Sequence, residues 1–342
     1  MQRLIFSLLI LLFFSCQQQE KPEVEEETPL KWEQVGFNLD RQLLASSESD
    51  GSMTLLFRDQ LVEIDNMLNM QELLSFSDAL NVNPTPIIQN DFLVYSESYQ
   101  RLGQDSINFV IVDTRDPNKR ALIDLDRFNL SLAFNVEVAA VNDDMQLLLV
   151  LKNNDERALY GLSYQIQELP DRLELQNQQL FNIAPIATGE ITKITALGNY
   201  FYLSDFDAVY RLSANGNIDR AIESMLRSNP FVLGNLDYMM TSDGFYQSND
   251  QGLSWQKSTA QADQLFDIPI HIIGNSSNGQ LIYLQDEQRY WDQSAIKMTT
   301  DLIDIEPLMV ENDENTKRLH VMDNYLYGLR DNGTLYRVLL PE

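Results

Sequence analysis

Cysteine is almost absent from the sequence, since Cys16 is the only one in 342 residues. No disulfide can form within the chain, so the fold must be held by its own core, which about 310 residues can supply. Histidine is also scarce: His271 and His320 lie about fifty positions apart, and a zinc site of the usual His/Cys type cannot be built from them. Each lies in an apolar, strand-like segment, which favours a structural role over a Ser-His-Asp triad.

Positive charge is in short supply as well. The chain has 24 Lys and Arg against 51 Asp and Glu, which gives a formal net charge of −27. Such a field repels phosphate backbones and anionic lipid head groups, so we expect no nucleic-acid partner. A cation, a basic protein or a neutral glycan remains open as a ligand, although solubility alone also explains the charge.

The apolar run at the N terminus, Leu4 to Phe14, is too short to span a bilayer. As a helix it would extend about 16 Å, whereas the hydrocarbon core needs about 20 residues. The run follows Arg3, and an apolar core behind a positive start is typical of a secretory signal peptide.

The run ends at Phe13-Phe14-Ser15-Cys16, which resembles the lipobox of bacterial lipoproteins, with Phe13 where Leu is usual. The resemblance implies that the signal peptide, residues 1–15, is cut off and that Cys16 is acylated. Gln17 stands where an Asp would suggest inner-membrane retention. By the same resemblance we expect an outer-membrane lipoprotein, on either the periplasmic or the cell-surface face.

Residues 16–32 comprise the acylated cysteine and a polar, acidic segment that is too charged to collapse, so we predict a disordered tether. Its acidic run also resembles the surface-export tethers of Bacteroidetes lipoproteins. The body of the protein is then residues 33–342.

A hairpin pattern is clearest at residues 236–257, where Asp243-Gly244 predicts a two-residue turn between two strands. The returning strand leads into Ser-x-Asp-x-Gly-x-Ser-Trp, which resembles the Asp box (BNR repeat) of sialidase-like and related β-propellers. An Asp in such a turn can accept backbone hydrogen bonds, the glycine permits an unusual backbone geometry, and the tryptophan buries apolar surface. We predict a structural role for the five residues that match: Ser248, Asp250, Gly252, Ser254 and Trp255.

Weaker copies of this unit run through the body. Aligned on similar apolar strands, interpreted as the inner strand of each unit, they recur at intervals of 39, 55, 53, 38, 45 and 42 residues, which is about the length of a propeller blade. We therefore predict an all-β fold, a single β-propeller of seven blades, with six or eight as the alternatives. A strand near Trp32 to Leu39 should complete the last blade and close the ring. Helical excursions are predicted at Asp65–Leu80 and Ile222–Arg227. The seven strand anchors are Met53, Phe92, Leu147, Tyr200, Tyr238, Tyr283 and Tyr325.

The sequence contains no convincing catalytic constellation. The resemblance to sialidases would need an early Phe-Arg-Ile-Pro motif, whereas the nearest string places Asp59 and Gln60 after Arg58. Acidic pairs that could serve glycoside hydrolysis are numerous, but solvated turns explain them better. Calcium at Asp313 and its neighbours is the one cofactor left open. No catalytic residue and no metal ligand is assigned. The acidic candidates are Asp143 with Asp144, Asp205 with Asp207, and Glu311 with Asp313 and Glu314.

These features favour a membrane-tethered, non-catalytic binding or assembly module, which holds an envelope protein or glycan with the loops at one mouth of the propeller. The alternative is a cryptic glycoside hydrolase or lyase of sialidase-like fold. This alternative predicts a cluster of acids and aromatics in the central cavity, and an apolar or mixed lining would argue against it.

Overall fold

The computed structural model describes residues 29–38, 43–49, 51–76, 80, 85–101, 104–125, 134–153, 158–183, 191–258, 270–285, 296–302, 304–311, 316–330 and 334–341. These residues form 28 β-strands and no α-helix, so none of them belongs to a helix capable of crossing a membrane. The predicted signal peptide, Cys16 and most of the tether lie outside the described residues.

The strands form seven antiparallel sheets of four strands each, which we number as blades 1 to 7. Blade 1 has β2 Leu43–Ser49, β3 Ser52–Phe57, β4 Gln60–Asp65 and β5 Met70–Ser75; blade 2 has β6 Ile87–Gln89, β7 Phe92–Arg101, β8 Gln104–Asp113 and β9 Arg120–Asp124. Blade 3 has β10 Phe134–Val141, β11 Gln146–Asn153, β12 Ala158–Glu168 and β13 Leu173–Asn182; blade 4 has β14 Lys193–Leu197, β15 Tyr200–Ser204, β16 Val209–Leu212 and β17 Ile218–Ile222. Blade 5 has β18 Phe231–Leu233, β19 Leu236–Thr241, β20 Gly244–Ser248 and β21 Gln256–Lys257; blade 6 has β22 Ile270–Asn275, β23 Leu281–Gln285, β24 Ile296–Thr299 and β25 Glu306–Pro307. Blade 7 has β26 Thr316–Met322, β27 Tyr325–Arg330, β28 Thr334–Leu339 and, from the other end of the chain, β1 Glu33–Asn38.

The core is divided into seven apolar clusters, and each cluster lies between two neighbouring blades, including blades 7 and 1. The first strands of adjacent blades also contact one another, for example β2 with β6 and β26 with β2. The sheets are therefore packed face to face in a closed ring, with the first strands innermost. The chain is a seven-bladed β-propeller, as the repeat predicts.

The second strand of each blade is the one that the sequence pattern detects. All seven predicted anchors lie on second strands, from Met53 on β3 to Tyr325 on β27. Alternate residues of such a strand face opposite neighbours, so that Leu149 packs towards blade 2 and Leu148 towards blade 4. Both faces are buried, which explains the nearly continuous apolar runs. The interpretation of these strands as the inner ones is wrong, because each blade begins one strand earlier.

The ring is closed by the N-terminal strand, as predicted. β1 pairs with β28 antiparallel, in the register Glu33 opposite Arg337 and Gln34 opposite Tyr336. The guanidinium of Arg337 donates a 3.0 Å hydrogen bond from Nε to Glu33 Oε2 across the same pair. A fourth strand from the start of the chain thus completes the blade at its end and covers the open edge of β28.

The two predicted helical excursions are wrong. Residues 65–69 form a tight turn in which the Asp65 carboxylate accepts hydrogen bonds from the backbone N and the Nδ2 of Asn69, both at 2.8 Å. Leu68 adopts a left-handed backbone with φ of +65°, and β5 follows at once. The Asp side chain thus closes a turn that stops a helix from propagating. Ile222 ends β17, and Leu226 forms an isolated bridge to Thr241.

The ring has two distinct ends because strand direction alternates within a blade. Hairpins between strands 1 and 2 and between strands 3 and 4 lie at one end, which we call the hairpin end. Hairpins between strands 2 and 3 lie at the other, together with the linkers between blades, and we call this the linker end.

Candidate functional site

A cavity of about 440 Å³ lies against the first strands of blades 2, 3 and 4, and we call it the central cavity. Three of its residues, Thr85, Thr192 and Asn229, precede first strands and place its mouth at the linker end. The lining mixes hydroxyl, amide and aliphatic groups with one carboxylate and one ammonium group, and none of the lining residues that the structure describes is aromatic. The lining residues are Thr85, Ile87, Ile88, Gln89, Glu137, Val138, Ala139, Thr192, Lys193, Ile194, Thr195 and Asn229.

Glu137, the only carboxylate among the described lining residues of the central cavity, occupies an irregularity in β10. The pairing with β11 runs Val136 to Leu151 and then Val138 to Val150, which leaves Glu137 unpaired as a β-bulge. Its side chain is exposed, whereas Ala140 and Val141 further along the strand are buried. A bulge breaks the strict alternation of a strand and re-aims one side chain. The bulge here places an acidic group in the wall of the central cavity.

A rigid turn adjoins the mouth of the central cavity in blade 4. The buried carboxylate of Asp205 accepts 2.8 Å hydrogen bonds from the backbone N of Asp207 and Ala208, and a 3.2 Å bond from the hydroxyl of Tyr210. Thr192, a lining residue, donates its backbone N–H to Ser204 O at 2.8 Å beside this turn. Phe206 at the tip is 61 % exposed. An exposed aromatic on a preorganised turn costs little entropy to order, which is a property of interface anchors.

The five residues of the predicted Asp box lie together in the hairpin between β20 and β21, at the hairpin end. Ser248 Oγ donates to Asp250 Oδ1 at 2.8 Å and accepts from the backbone N of Gly252 at 2.8 Å. Asp250 in turn accepts from the backbone N of Ser254 at 2.9 Å and from its hydroxyl at 2.6 Å. These bonds lower the pKa of Asp250, those from Ser254 most strongly.

The same turn is attached to blade 4. Gly252 has φ of +81°, and its carbonyl accepts a 2.6 Å hydrogen bond from the Tyr202 hydroxyl. The half-buried ring of Trp255 packs edge-on against Tyr202, with centroids 5.9 Å apart. The turn therefore links two blades on the outside of the ring, away from the central cavity.

A second, shorter turn of the same kind occurs in blade 6 and was not found in the sequence. The Thr299 hydroxyl accepts from the backbone N of Leu302 at 2.9 Å, and Asp301 Oδ1 accepts from the backbone N of Asp304 at 2.9 Å. Leu302, with φ of +62°, is buried against blade 5. Thr299 and Asp301 thus correspond to Ser248 and Asp250, but one residue is missing and leucine occupies the left-handed position. The only signal in the sequence is Thr-x-Asp, which is too common to be informative.

The remaining acidic candidates are dispersed around the ring rather than gathered into one site. Asp143 and Asp144 lie in the turn between β10 and β11, at the hairpin end. Asp205 and Asp207 form the turn beside Phe206, at the linker end. Glu311 is exposed, while Asp313 and Glu314 lie outside the described residues. Within the described ranges no group of three or more His, Cys, Asp or Glu residues could hold a metal ion.

The arginine and histidine candidates are also separate from one another in the fold. Arg58, the nearest equivalent of a sialidase arginine, is exposed in the turn between β3 and β4. His271 lies on β22 and His320 on β26, the first strands of blades 6 and 7. Arg58, His271 and His320 thus lie in three different blades.

Glu48, on the first strand of blade 1, has a perturbed carboxyl group. Although much of its side chain is open to solvent, burial among the inner strands and the nearby charge of Asp323 raise the pKa of Glu48 to about 7. A like charge nearby and burial both disfavour the ionised form of a carboxyl group.

Comparison with known proteins identifies the fold. No protein-family model and no curated protein matches the sequence. Among solved structures, the chain is similar to a catalytically inactive virginiamycin B lyase from Staphylococcus aureus, with 10 % identity, a TM-score of 0.51, and coverage of 91 % of this chain and 100 % of that one. That likeness shows a shared β-propeller fold.

Two neighbours of lower structural similarity come from surface or extracellular proteins. The extracellular domain of the one component system BT4673 from B. thetaiotaomicron aligns with a TM-score of 0.48 and 12 % identity, over 90 % of this chain and 40 % of that one. PorZ, a surface component of the type-IX secretion system of Porphyromonas gingivalis, aligns with a TM-score of 0.39 and 10 % identity, over 90 % of this chain and 34 % of that one. This chain therefore spans well under half the length of either protein.

Proposed function

We propose that the chain is an outer-membrane lipoprotein, anchored through acylated Cys16, whose propeller is a non-catalytic binding or assembly module for a protein or glycan of the cell envelope. In this proposal the turn over residues 248–255 is a structural Asp box. The anchor rests on the apolar run, the small residue before Cys16 and the polar tether that follows.

The observation that carries the binding role is the mouth of the central cavity. It combines a rigid rim with an exposed aromatic, Phe206, and a wall whose one carboxylate and one ammonium group, Glu137 and Lys193, stand among hydroxyls and amides. Pockets that bind a ligand typically combine apolar surface with a few placed polar groups. The cavity has the composition of a recognition site.

The glycosidase alternative is not supported by the same cavity. Hydrolysis by the usual mechanism needs two carboxyl groups, at about 5–5.5 Å or about 6.5–9.5 Å from each other. Among the described residues that line the central cavity there is a single carboxylate and no aromatic side chain on which a sugar ring could stack. Its mixed lining is the outcome that argues against a cryptic hydrolase or lyase.

The binding role can be tested on the acylated protein purified from outer membranes after mild crosslinking. Glu137→Gln combined with Phe206→Ala removes the cavity carboxylate and the rim aromatic. We expect the crosslinked partner to fall by about tenfold or more in this variant, because buried aromatic anchors dominate interfaces. Glu306→Gln combined with Leu253→Ala, which alters exposed residues elsewhere, should leave recovery unchanged.

Two results would contradict the proposal. Equal recovery of the partner with both double variants would place binding elsewhere on the molecule. Turnover of any member of a glycan library, abolished by Glu137→Gln, would show that the cavity is catalytic.

A further inference from the structure

A second cavity, of about 320 Å³, lies in the groove between blades 3 and 4 at the hairpin end. Strands β11, β12 and β13 form one side, and the turn after β16 forms the other. We call it the amide cavity, because six of its nine lining residues are Gln or Asn. The residues are Gln146, Ser163, Tyr164, Gln165, Asn177, Gln178, Gln179, Ala214 and Asn215.

The amide cavity is electrically neutral in a strongly acidic protein. None of its nine lining residues is charged, whereas charged residues make up 22 % of the chain and its net charge is −27. A site for a cation or a basic peptide would be expected to use this abundant negative charge. A neutral lining instead matches a neutral ligand, since burying a charge without a partner is costly.

Three of the amide groups are held in a fixed orientation by backbone groups. Gln165 Nε2 donates a 2.8 Å hydrogen bond to Asp144 O, which fixes Oε1 as the other polar atom of this amide group. The backbone N of Gln146 donates to Asn142 Oδ1 at 2.9 Å, which makes Asn142 Nδ2 the donor to Gln146 Oε1 at 2.8 Å. A backbone N–H can only donate and a carbonyl can only accept, so these oxygen and nitrogen positions are determined by the partners.

The third amide belongs to Asn215, on the blade 4 side. Its Oδ1 accepts from the backbone N of Asn217 at 3.3 Å. The free ends are therefore Gln165 Oε1, Gln146 Nε2 and Asn215 Nδ2, which make no hydrogen bond to another described residue. One acceptor and two donors thus remain on side chains whose rotation is already restricted.

The strand geometry at the amide cavity is irregular in both partners. The pairing between β12 and β13 shifts between Ser163 and Gln165, so Tyr164 occupies a bulge. Opposite it, Asn177 has φ of +51°, a left-handed conformation that few residues adopt within a strand. Bulges of this kind re-aim side chains and are frequent beside binding sites.

We propose that the amide cavity binds a neutral, hydroxyl-rich saccharide. A sugar hydroxyl donates and accepts at once, and fixed amide groups that offer both a carbonyl and an NH₂ complement it without any charge. The volume lies at the lower end of the about 300–1,000 Å³ range of small-molecule pockets, which suits a short saccharide or the end of a longer one.

This site is independent of the central cavity. The two lie at opposite ends of the ring and share no lining residue. A protein that fails to bind a partner at its central cavity could still bind saccharides here, so the two tests give separate answers.

The experiment measures binding of three neutral trisaccharides, maltotriose, cellotriose and chitotriose, to the folded body by calorimetry and saturation-transfer NMR. The acidic trisaccharide of galacturonic acid serves as the charged probe. We expect at least one neutral probe to bind and the acidic probe not to bind, because the surrounding field repels anions. Gln165→Ala and Asn215→Ala should each weaken binding about tenfold, the effect of losing one well-placed hydrogen bond.

Matched variants keep the result interpretable. Gln71→Ala and Gln256→Ala replace exposed glutamines on the outermost strands of blades 1 and 5, and both should bind as the wild type does. Because Gln165 also supports a turn, Gln178→Glu provides a second variant, on the exposed strand β13, that adds a charge and should abolish binding. The proposal is overturned if none of the neutral trisaccharides binds, or if Gln165→Ala, Asn215→Ala and Gln178→Glu all bind like the wild type.

Discussion

Gly252 combines two constraints that mutation can separate. Its backbone is left-handed, and a Cβ would come within 2.2 Å of the Tyr202 hydroxyl. Gly279 has a similar φ of +78° but open space around its Cβ position. Gly279→Ala should lose about 1–2 kcal/mol from backbone strain alone. Gly252→Ala should lose that amount and a further 1–3 kcal/mol, about the cost of overpacking, as measured by urea unfolding.

Trp255 tests whether the turn over residues 248–255 contributes to packing between blades. Trp255→Ala removes a half-buried ring from the cluster between blades 4 and 5. We expect a loss of about 2–3 kcal/mol in the free energy of unfolding, below the 3–5 typical of a fully buried aromatic. Leu253→Ala, at an exposed position of the same turn, is the control. An unchanged melting temperature for Trp255→Ala would contradict this account.

Glu48 should make stability depend on pH. Its carboxyl pKa is raised from 4.5 in the unfolded chain to about 7 in the fold, so the folded state binds more protons between these values and stability falls as pH rises from 4.5 to 7. Glu48→Gln should remove the loss of stability that comes from ionising Glu48. At pH 8 the variant should therefore be more stable relative to the wild type than it is at pH 5. The measurement is the unfolding free energy at pH 5, 6, 7 and 8, with Glu306→Gln as the control. An identical pH profile in Glu48→Gln would refute the assignment.

At the scale of single elements, the sequence predicts best what is buried on both faces. The second strands are apolar on both sides, and all seven were located from runs such as Leu147 to Leu151. The first strands mix polar channel-facing residues with buried ones, so they carry no comparable pattern. The structure therefore extends each predicted unit inward by one strand.

The residues of the candidate sites could not be predicted for a different reason. Glu137 lines the central cavity because the register with β11 skips it, and a register depends on a partner strand that the sequence does not specify. The amide cavity likewise joins Gln165 and Asn215 from two blades. A local pattern cannot reveal a site assembled from separate blades.

Removal of β1 tests its role in closing the ring. A protein of residues 39–342 would lack the strand that pairs with β28, and would expose the backbone of β28 as an open edge. We expect a lower melting temperature and concentration-dependent association by light scattering, since open edges pair with other chains. A protein of residues 29–342 keeps β1 and should be monodisperse under the same conditions. Equal behaviour of the two proteins would mean that closure contributes little.

At the scale of the whole molecule, the repeat length led to the correct number of blades and to the closing strand. Both follow from a simple constraint. A blade with an uncovered apolar face must pack against another blade, and the last such face is covered only when the ring closes. What the ring binds depends on residues at its ends, which this constraint leaves free to vary.

The predicted lipid anchor is tested by Cys16→Ser. Each acyl chain contributes about 0.8 kcal/mol for each buried methylene group, and two or more chains anchor a protein stably. We expect the variant to move from the membrane pellet to the soluble fraction and to lack the mass added by acylation. Retention of Cys16→Ser in washed membranes would refute the anchor and leave the account of the propeller intact.

The pairing of β1 with β28 also sets the order of events during synthesis. β1 is synthesised before the other described strands and must wait for β28, the last of them, since Glu33 and Arg337 are neighbours in the finished sheet. If the predicted signal peptide directs export, the chain would be unable to close its ring before β28 has crossed the membrane. Closure of the ring needs a contact between the first and the last of the described strands, which we expect to form slowly.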